Sequence, residues 1–102
     1  MILCFDIGGT TIKPAIAHAP DRIEPLQLRE TPLSDFAAFV EILRQVMAET
    51  GETPERIALS ITGIIDPESG IATVANIPCL HGRRLGAELE AALSLEVLVA
   101  ND

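Results

Sequence analysis

The chain has 102 residues, which is enough for one domain with a modest core. Apolar residues make up 48%, which is typical of a folded globular protein and excludes a disordered one. The net charge of −8 would repel nucleic-acid phosphates, so we expect no nucleic-acid partner. Asp6 interrupts the first apolar run too early for a signal peptide or a membrane span, so the expected location is the cytoplasm, with no membrane partner.

The first third of the chain predicts three strands. Residues 2–5 form a continuous apolar run, which is typical of a strand covered on both faces. Residues 12–17 predict a second strand, in which Pro14 indicates an edge position or a bulge because proline cannot donate to a ladder. Residues 23–30 alternate roughly and predict a third strand.

The remainder predicts two helices, each followed by a strand. Apolar residues recur every three or four positions from Phe36 to Met47, with Ser34 as the predicted N-cap, Asp35 in the first turn and Gly51 as the stop. A strand at 57–61, a helix marked by leucines at 85, 89 and 93, and a strand at 97–100 follow.

The predicted order is therefore β-β-β-α-β-α-β. Three antiparallel strands come first, and two helical crossovers then add parallel strands. The predicted fold class is α/β, a ribonuclease-H-like lobe with a mixed five-stranded sheet. A plain doubly wound fold would have a helix after its first strand, where this chain has a hairpin.

The hairpin between the first two strands is a candidate phosphate site. Gly8 and Gly9 let a ligand approach the backbone, and their consecutive amides can point at one anion. Thr10 and Thr11 add hydroxyl donors, while Asp6 can reach Mg²⁺, which usually keeps part of its water shell. The alternative is an ordinary hairpin that uses glycine for positive φ.

Other polar residues follow predicted strands or lie in loops. Asn101 and Asp102 end an apolar strand, where α/β folds gather ligands, and Asp102 could accept a proton from an attacking hydroxyl; a simple turn fits equally well. Gly63 and Asn76 suit a sugar site, although the spacing alone favours plain strand-end and loop residues. Lys13 is expected to be a solvated strand residue.

Four segments together resemble the ROK family of sugar kinases, within the actin-like ATPase superfamily, over the whole chain. They are FDIGGT at 5–10, ITGIID at 61–66 with GI at 70–71, NIP at 76–78 and VLVAND at 97–102. Four positions depart from the family pattern: Thr11 stands where Lys is usual, Thr62 where Pro is usual, Leu80 where an aromatic is common, and Pro14 is unusual in the second strand.

The resemblance implies ATP-dependent phosphorylation of a hexose or N-acetylhexosamine, as in glucokinases, fructokinases and N-acetylglucosamine or N-acetylmannosamine kinases. It implies Asp102 as the general base and Mg²⁺ held near Asp6 through water. The remaining implied contacts are to the ATP phosphates from Gly8, Gly9, Thr10 and Thr11, and to the sugar from Gly63, Asn76, Asn101 and Asp102.

Residues 1–102 would thus be the N-terminal lobe of such an enzyme. The family's zinc site and adenine pocket would lie beyond residue 102, so we expect this piece alone to be inactive and the complete enzyme to be a homodimer. Two alternatives remain: the lobe of a sugar-sensing ROK transcriptional regulator without its DNA-binding domain, and a non-kinase actin-like ATPase lobe. The identity of the sugar does not follow from the sequence.

Overall fold

The computed structural model describes residues 1–101, which form two helices and eight strands. In chain order the elements are β1 (Ile2–Ile7), β2 (Thr11–Ala19), β3 (Arg22–Pro25), β4 (Arg29–Glu30), α1 (Phe36–Thr50), β5 (Arg56–Ile61), β6 (Ile64–Ile65), β7 (Ala72–Thr73), α2 (Leu85–Leu93) and β8 (Glu96–Asn101).

The main sheet has the order β3-β2-β1-β5-β8, with β4 pairing with β2 beside β3. The β1–β2 and β2–β3 pairs are antiparallel, and the β1–β5 and β5–β8 pairs are parallel. This confirms the predicted mixed sheet, but the sheet has six strands and not five, because the predicted third strand is divided into β3 and β4. The short β6–β7 hairpin forms a separate two-stranded sheet between β5 and α2.

The core lies between one face of the sheet and the two helices. Because strand side chains alternate between faces, every second residue of the central strands is buried here. The strands contribute Leu3, Phe5, Ile7, Ile12, Ile57, Leu59 and Ile61, and the helices Phe39, Leu43, Val46, Leu85 and Leu89. The opposite face carries small side chains that remain partly exposed, namely Cys4, Ala15, Ala58 and Ser60.

Pro14 lies inside the sheet, so the predicted edge position or bulge is wrong. It is opposite Phe5 of β1, and the irregular register of β2 occurs at Ala17–Ala19 instead. The carbonyl of Pro14 accepts a 2.9 Å hydrogen bond from the amide of Leu26. Since the nitrogen and carbonyl of a strand residue face the same neighbour, the missing N–H faces the gap between β3 and β4. Pro14 of β2 thus lies opposite the break that divides the predicted third strand into β3 and β4.

The ends of α1 differ in one respect from the prediction. Asp35, not Ser34, is the N-cap, because its carboxylate accepts a 3.2 Å hydrogen bond from the amide of Ala38. Gly51 ends the helix as predicted, in the left-handed conformation with φ of 73°. Neither helix within residues 1–101 has the length and apolar character needed to traverse a lipid bilayer.

Candidate functional site

Three strand ends bring the candidate residues to one edge of the sheet. Ile7 of β1 is in register with Ile61 of β5, and Ile61 is in register with Asn101 of β8. Neighbouring strands lie about 4.8 Å apart, so the segments that follow β1 and β5 begin side by side, next to Asn101. The carboxyl edge of parallel strands is where α/β sheets bind ligands.

The loop between β1 and β2 presents unpaired backbone donors. The amide of Gly8 donates to the carbonyl of Thr11 at 3.0 Å, which closes the turn. Within residues 1–101, the amides of Gly9 and Thr10 donate to no protein acceptor. Neither Gly8 nor Gly9 has a positive φ, so the turn does not need glycine for that reason. The absence of a side chain instead leaves the two amides accessible, as an anion site requires.

A shallow concavity of about 370 Å³ lies over this loop, lined by Asp6, Gly8, Gly9, Thr10, Thr11, Lys13 and Thr62. Asp6 and Lys13 are exposed and lie opposite each other in the β1–β2 pair. No ion pair joins them or links either to another group in the described part of the chain. Lys13 is the only lysine of the chain, and here it stands in the concavity beside the loop.

The donor set fits a nucleotide phosphate with a magnesium ion. Free amides, threonine hydroxyls and one lysine suit phosphate oxygens, and Asp6 is a hard oxygen ligand of the kind Mg²⁺ prefers. Among residues 1–101, no three His, Cys, Asp or Glu side chains converge where they could hold a metal. The water-mediated Mg²⁺ role of Asp6 stays a prediction.

Asn76 reaches the β1–β2 loop from the segment before α2. A Cβ atom placed on Gly9 would lie 2.7 Å from Nδ2 of Asn76 and 3.3 Å from its Cγ. The Asn76 carboxamide thus fills the space left by the missing side chain of Gly9. The sequence placed these two residues in different subsites and did not indicate that they touch.

The segment that carries Asn76, between β7 and α2, is held at its start by His81. The Nδ1 atom of His81 accepts a 3.1 Å hydrogen bond from the amide of Val74, and the amide of Gly82 donates to the carbonyl of Ala72 at 2.8 Å. The sequence favours a plain exposed loop residue at His81 over a ligand contact, because a single loop histidine has no distinguishing pattern. Its ring nonetheless holds the strand end from which the loop begins.

Gly63 directly precedes the β6–β7 hairpin and packs against Thr73 at its other end. A Cβ at this position would come within 2.6 Å of the carbonyl oxygen of Thr73, so glycine permits close backbone contact within the protein itself. The hairpin turn is closed by Asp66, whose carboxylate accepts hydrogen bonds from the amides of Glu68 and Ser69. These two bonds lower the pKa of Asp66.

Asn101 connects the end of β8 to the hairpin. Its Oδ1 accepts a 2.9 Å hydrogen bond from the amide of Ile65. This bond fixes the orientation of the carboxamide and leaves the Nδ2 donors as the groups available to a ligand. Asp102, the predicted general base, lies outside the described residues.

Thr31 is a site-adjacent residue that sequence analysis missed. It follows β4 and is 4% exposed. Its hydroxyl donates to the carbonyl of Gly8 at 2.8 Å, and its amide donates to the carbonyl of Thr10 at 3.0 Å. No local pattern predicts this contact, because it forms only when the residue after β4 packs beside the β1–β2 loop.

Comparison with known proteins gives the family. The sequence model of the ROK family matches residues 2–102. The chain belongs to the ROK family. An N-acetyl-D-glucosamine kinase from Salmonella typhi is 30% identical over 101 residues, which cover 96% of this chain and 33% of that protein.

Solved ROK structures share the fold. A ROK family protein from Streptococcus pneumoniae, determined in complex with sucrose, is 30% identical with a TM-score of 0.80, and the match covers 99% of this chain and 34% of that one. A ROK hexokinase from Thermus thermophilus is 25% identical, also with a TM-score of 0.80, over 98% of this chain and 34% of that one. The chain therefore has the actin-like ATPase fold, and it spans about a third of the length of these ROK relatives.

Proposed function

We propose that residues 1–102 are the N-terminal lobe of an ATP-dependent sugar kinase that phosphorylates a hexose or N-acetylhexosamine. The observation that carries the proposal is the contact between Gly9 and Asn76. It brings a loop with free amides against a carboxamide suited to sugar hydroxyls, so a phosphate and a sugar bound there would be neighbours. The kinase names of several ROK relatives support the same reaction class.

On the phosphate side, the amides of Gly9 and Thr10 would bind the terminal phosphate, with the hydroxyls of Thr10 and Thr11 beside them. Such preorganised donors stabilise charge that develops during phosphoryl transfer. Asp6 would hold Mg²⁺ through water, and that ion would neutralise part of the phosphate charge. Lys13 would add a positive charge to a chain that otherwise repels nucleotides.

On the sugar side, Asn76 and Asn101 would hold hydroxyl groups through their carboxamides. Gly63 would contribute through the hairpin that it allows to pack beside Asn101. Asp102 would accept the proton from the attacking hydroxyl, as the catalytic aspartate of other kinases does. Catalysis would then depend mostly on positioning, since little covalent chemistry is required of the protein.

The test is a sugar panel with the complete protein. ATP turnover, coupled to ADP release, is measured with glucose, fructose, mannose, allose, N-acetylglucosamine and N-acetylmannosamine. We expect sugar-dependent turnover with at least one of them, together with a phosphorylated product detected by mass spectrometry. Sugar binding without turnover would contradict the kinase and favour the regulator alternative, and ATP hydrolysis that is indifferent to every sugar would favour the ATPase alternative.

A further inference from the structure

Thr31 is the one buried polar residue in the core of the described residues, and it contacts the phosphate loop twice. Its hydroxyl reaches the carbonyl of Gly8, and its amide reaches the carbonyl of Thr10. The two bonds lie on either side of Gly9. A residue outside the β1–β2 hairpin therefore fixes the loop that carries the candidate phosphate donors.

The bond to Gly8 has a consequence for the amide of Gly9. The carbonyl of Gly8 and the N–H of Gly9 belong to one planar trans peptide unit and point in opposite directions. When Thr31 holds this carbonyl, it also sets the direction of the Gly9 N–H. The unit lies between two glycines, whose φ and ψ are the least restricted of any residue, so without a clamp it can rotate readily.

We propose that Thr31 is a positioning residue for phosphoryl transfer, which aims the Gly9 N–H at the terminal phosphate of the nucleotide. The inference rests on the proposed function. Its alternative is that Thr31 merely satisfies a buried carbonyl and stabilises the fold, since a buried polar group without a partner is costly. The two roles differ in whether nucleotide binding depends on the hydroxyl.

The experiment compares Thr31→Val, which keeps the shape and loses the hydroxyl, with Thr31→Ser, which keeps the hydroxyl, in the complete protein. Thr50→Val is the matched control, because the hydroxyl of Thr50 also donates to a backbone carbonyl, that of Met47 at 2.7 Å, at the far end of α1. The measurements are the Kd of the ATP analogue AMPPNP by calorimetry, KM and kcat for ATP and sugar, and Tm.

For Thr31→Val we expect the AMPPNP Kd and the ATP KM to rise about tenfold, the effect of losing one well-aligned hydrogen bond. The sugar KM should change little, and Thr31→Ser should restore ATP binding. Thr50→Val should lower Tm without changing the AMPPNP Kd or the ATP KM. If Thr31→Val does not fold, Thr31→Cys keeps a weak donor, and a smaller rise in AMPPNP Kd is expected.

The proposal is overturned if Thr31→Val, or Thr31→Cys in its place, lowers Tm as Thr50→Val does and binds AMPPNP like the wild type. It is also overturned if the wild type binds no AMPPNP, because the Gly9 amide would then have no phosphate to meet. A wild type that binds AMPPNP but phosphorylates no sugar would refute the proposed function alone, and the Kd series would still decide the role of Thr31.

Discussion

The carboxamide of Asn76 occupies the space beside Gly9 that a side chain would fill, with Nδ2 only 2.7 Å from the position of a Cβ. Two segments that are distant in the sequence thereby become one surface at the carboxyl edge of the sheet. The proposed phosphate donors on one side and the proposed sugar-binding carboxamide on the other would each be disturbed by a change at the contact.

A methyl group at Gly9 should impair both subsites. In the complete protein, Gly9→Ala should raise the KM for ATP and for sugar about tenfold each, because overpacking costs about 1–3 kcal/mol and displaces Asn76. Gly9 has no positive φ, so the change adds no backbone strain. Steady-state kinetics with each substrate varied in turn measures both values.

The double variant separates steric crowding from loss of a phosphate contact. Asn76→Ala alone should raise the sugar KM and leave the ATP KM nearly unchanged. Gly9→Ala combined with Asn76→Ala should return the ATP KM close to the wild-type value, because the crowded neighbour is gone. An ATP KM that stays high in the double variant would show that the Asn76 contact is not the cause.

Asp102→Asn tests the proposed general base. The amide cannot accept the sugar proton but keeps nearly the same shape, so kcat should fall by about 10²–10⁴ while the Kd for sugar changes little. Rapid-quench turnover and sugar titration provide the two numbers. A variant with nearly normal kcat would remove Asp102 from this role.

Lys13 should contribute to ATP binding although it is displaced from the usual family position. Lys13→Met should raise the ATP KM about tenfold, since a hydrogen bond to a charged group is worth about 1.5–3 kcal/mol. Arg22→Met, which removes an exposed cation near the opposite end of β2, is the control. Equal effects of the two variants would indicate only a change in overall charge.

The two thiols should react slowly. Burial raises the pKa of Cys4 and of Cys79, so each carries less reactive thiolate at pH 8 than a free cysteine, whose pKa is about 8.5. Iodoacetamide labelling from pH 7 to 10, with peptide mass mapping, should give midpoints above that value.

The raised pKa values of the two thiols also determine how the free energy of unfolding should change with pH. The unfolded chain would lose these protons first as pH rises, so their contribution to stability should be present below about pH 8.5 and decline above it. The chain contains no Tyr to obscure this range. In the iodoacetamide experiment, a labelling midpoint at or below the pKa of a free cysteine would contradict the burial of these thiols.

The strands and helices were predictable because they depend on local patterns. Alternation and the three-to-four spacing placed β5 and α1, and the order of elements fixed the sheet. The prediction was wrong at Pro14 because the sequence does not show that a partner strand divides opposite it. It was wrong at Ser34 because Ser and Asp are both good caps, and only the geometry at Ala38 selects Asp35.

The site was predictable only in part, for a related reason. Adjacent glycines after a buried strand marked the β1–β2 loop as a candidate phosphate site, and Asn101 was marked by its position at a strand end. Thr31 and His81 act through hydrogen bonds to backbone groups that only folding brings near, so neither carries a sequence signal. The ligand-binding and catalytic roles predicted for all of the candidate site residues, and for Asp102, stay predictions.

The central claim is that the proposed phosphate and sugar subsites are neighbours in one site. Its most direct test is a crystal structure of the complete protein with AMPPNP, Mg²⁺ and a sugar identified by the panel. We expect the terminal phosphate within hydrogen-bonding distance of the amides of Gly9 and Thr10, with the sugar beside Asn76 and its reactive hydroxyl facing that phosphate. A phosphate bound away from the β1–β2 loop, or a sugar on the other side of the sheet from Asn76, would contradict the account.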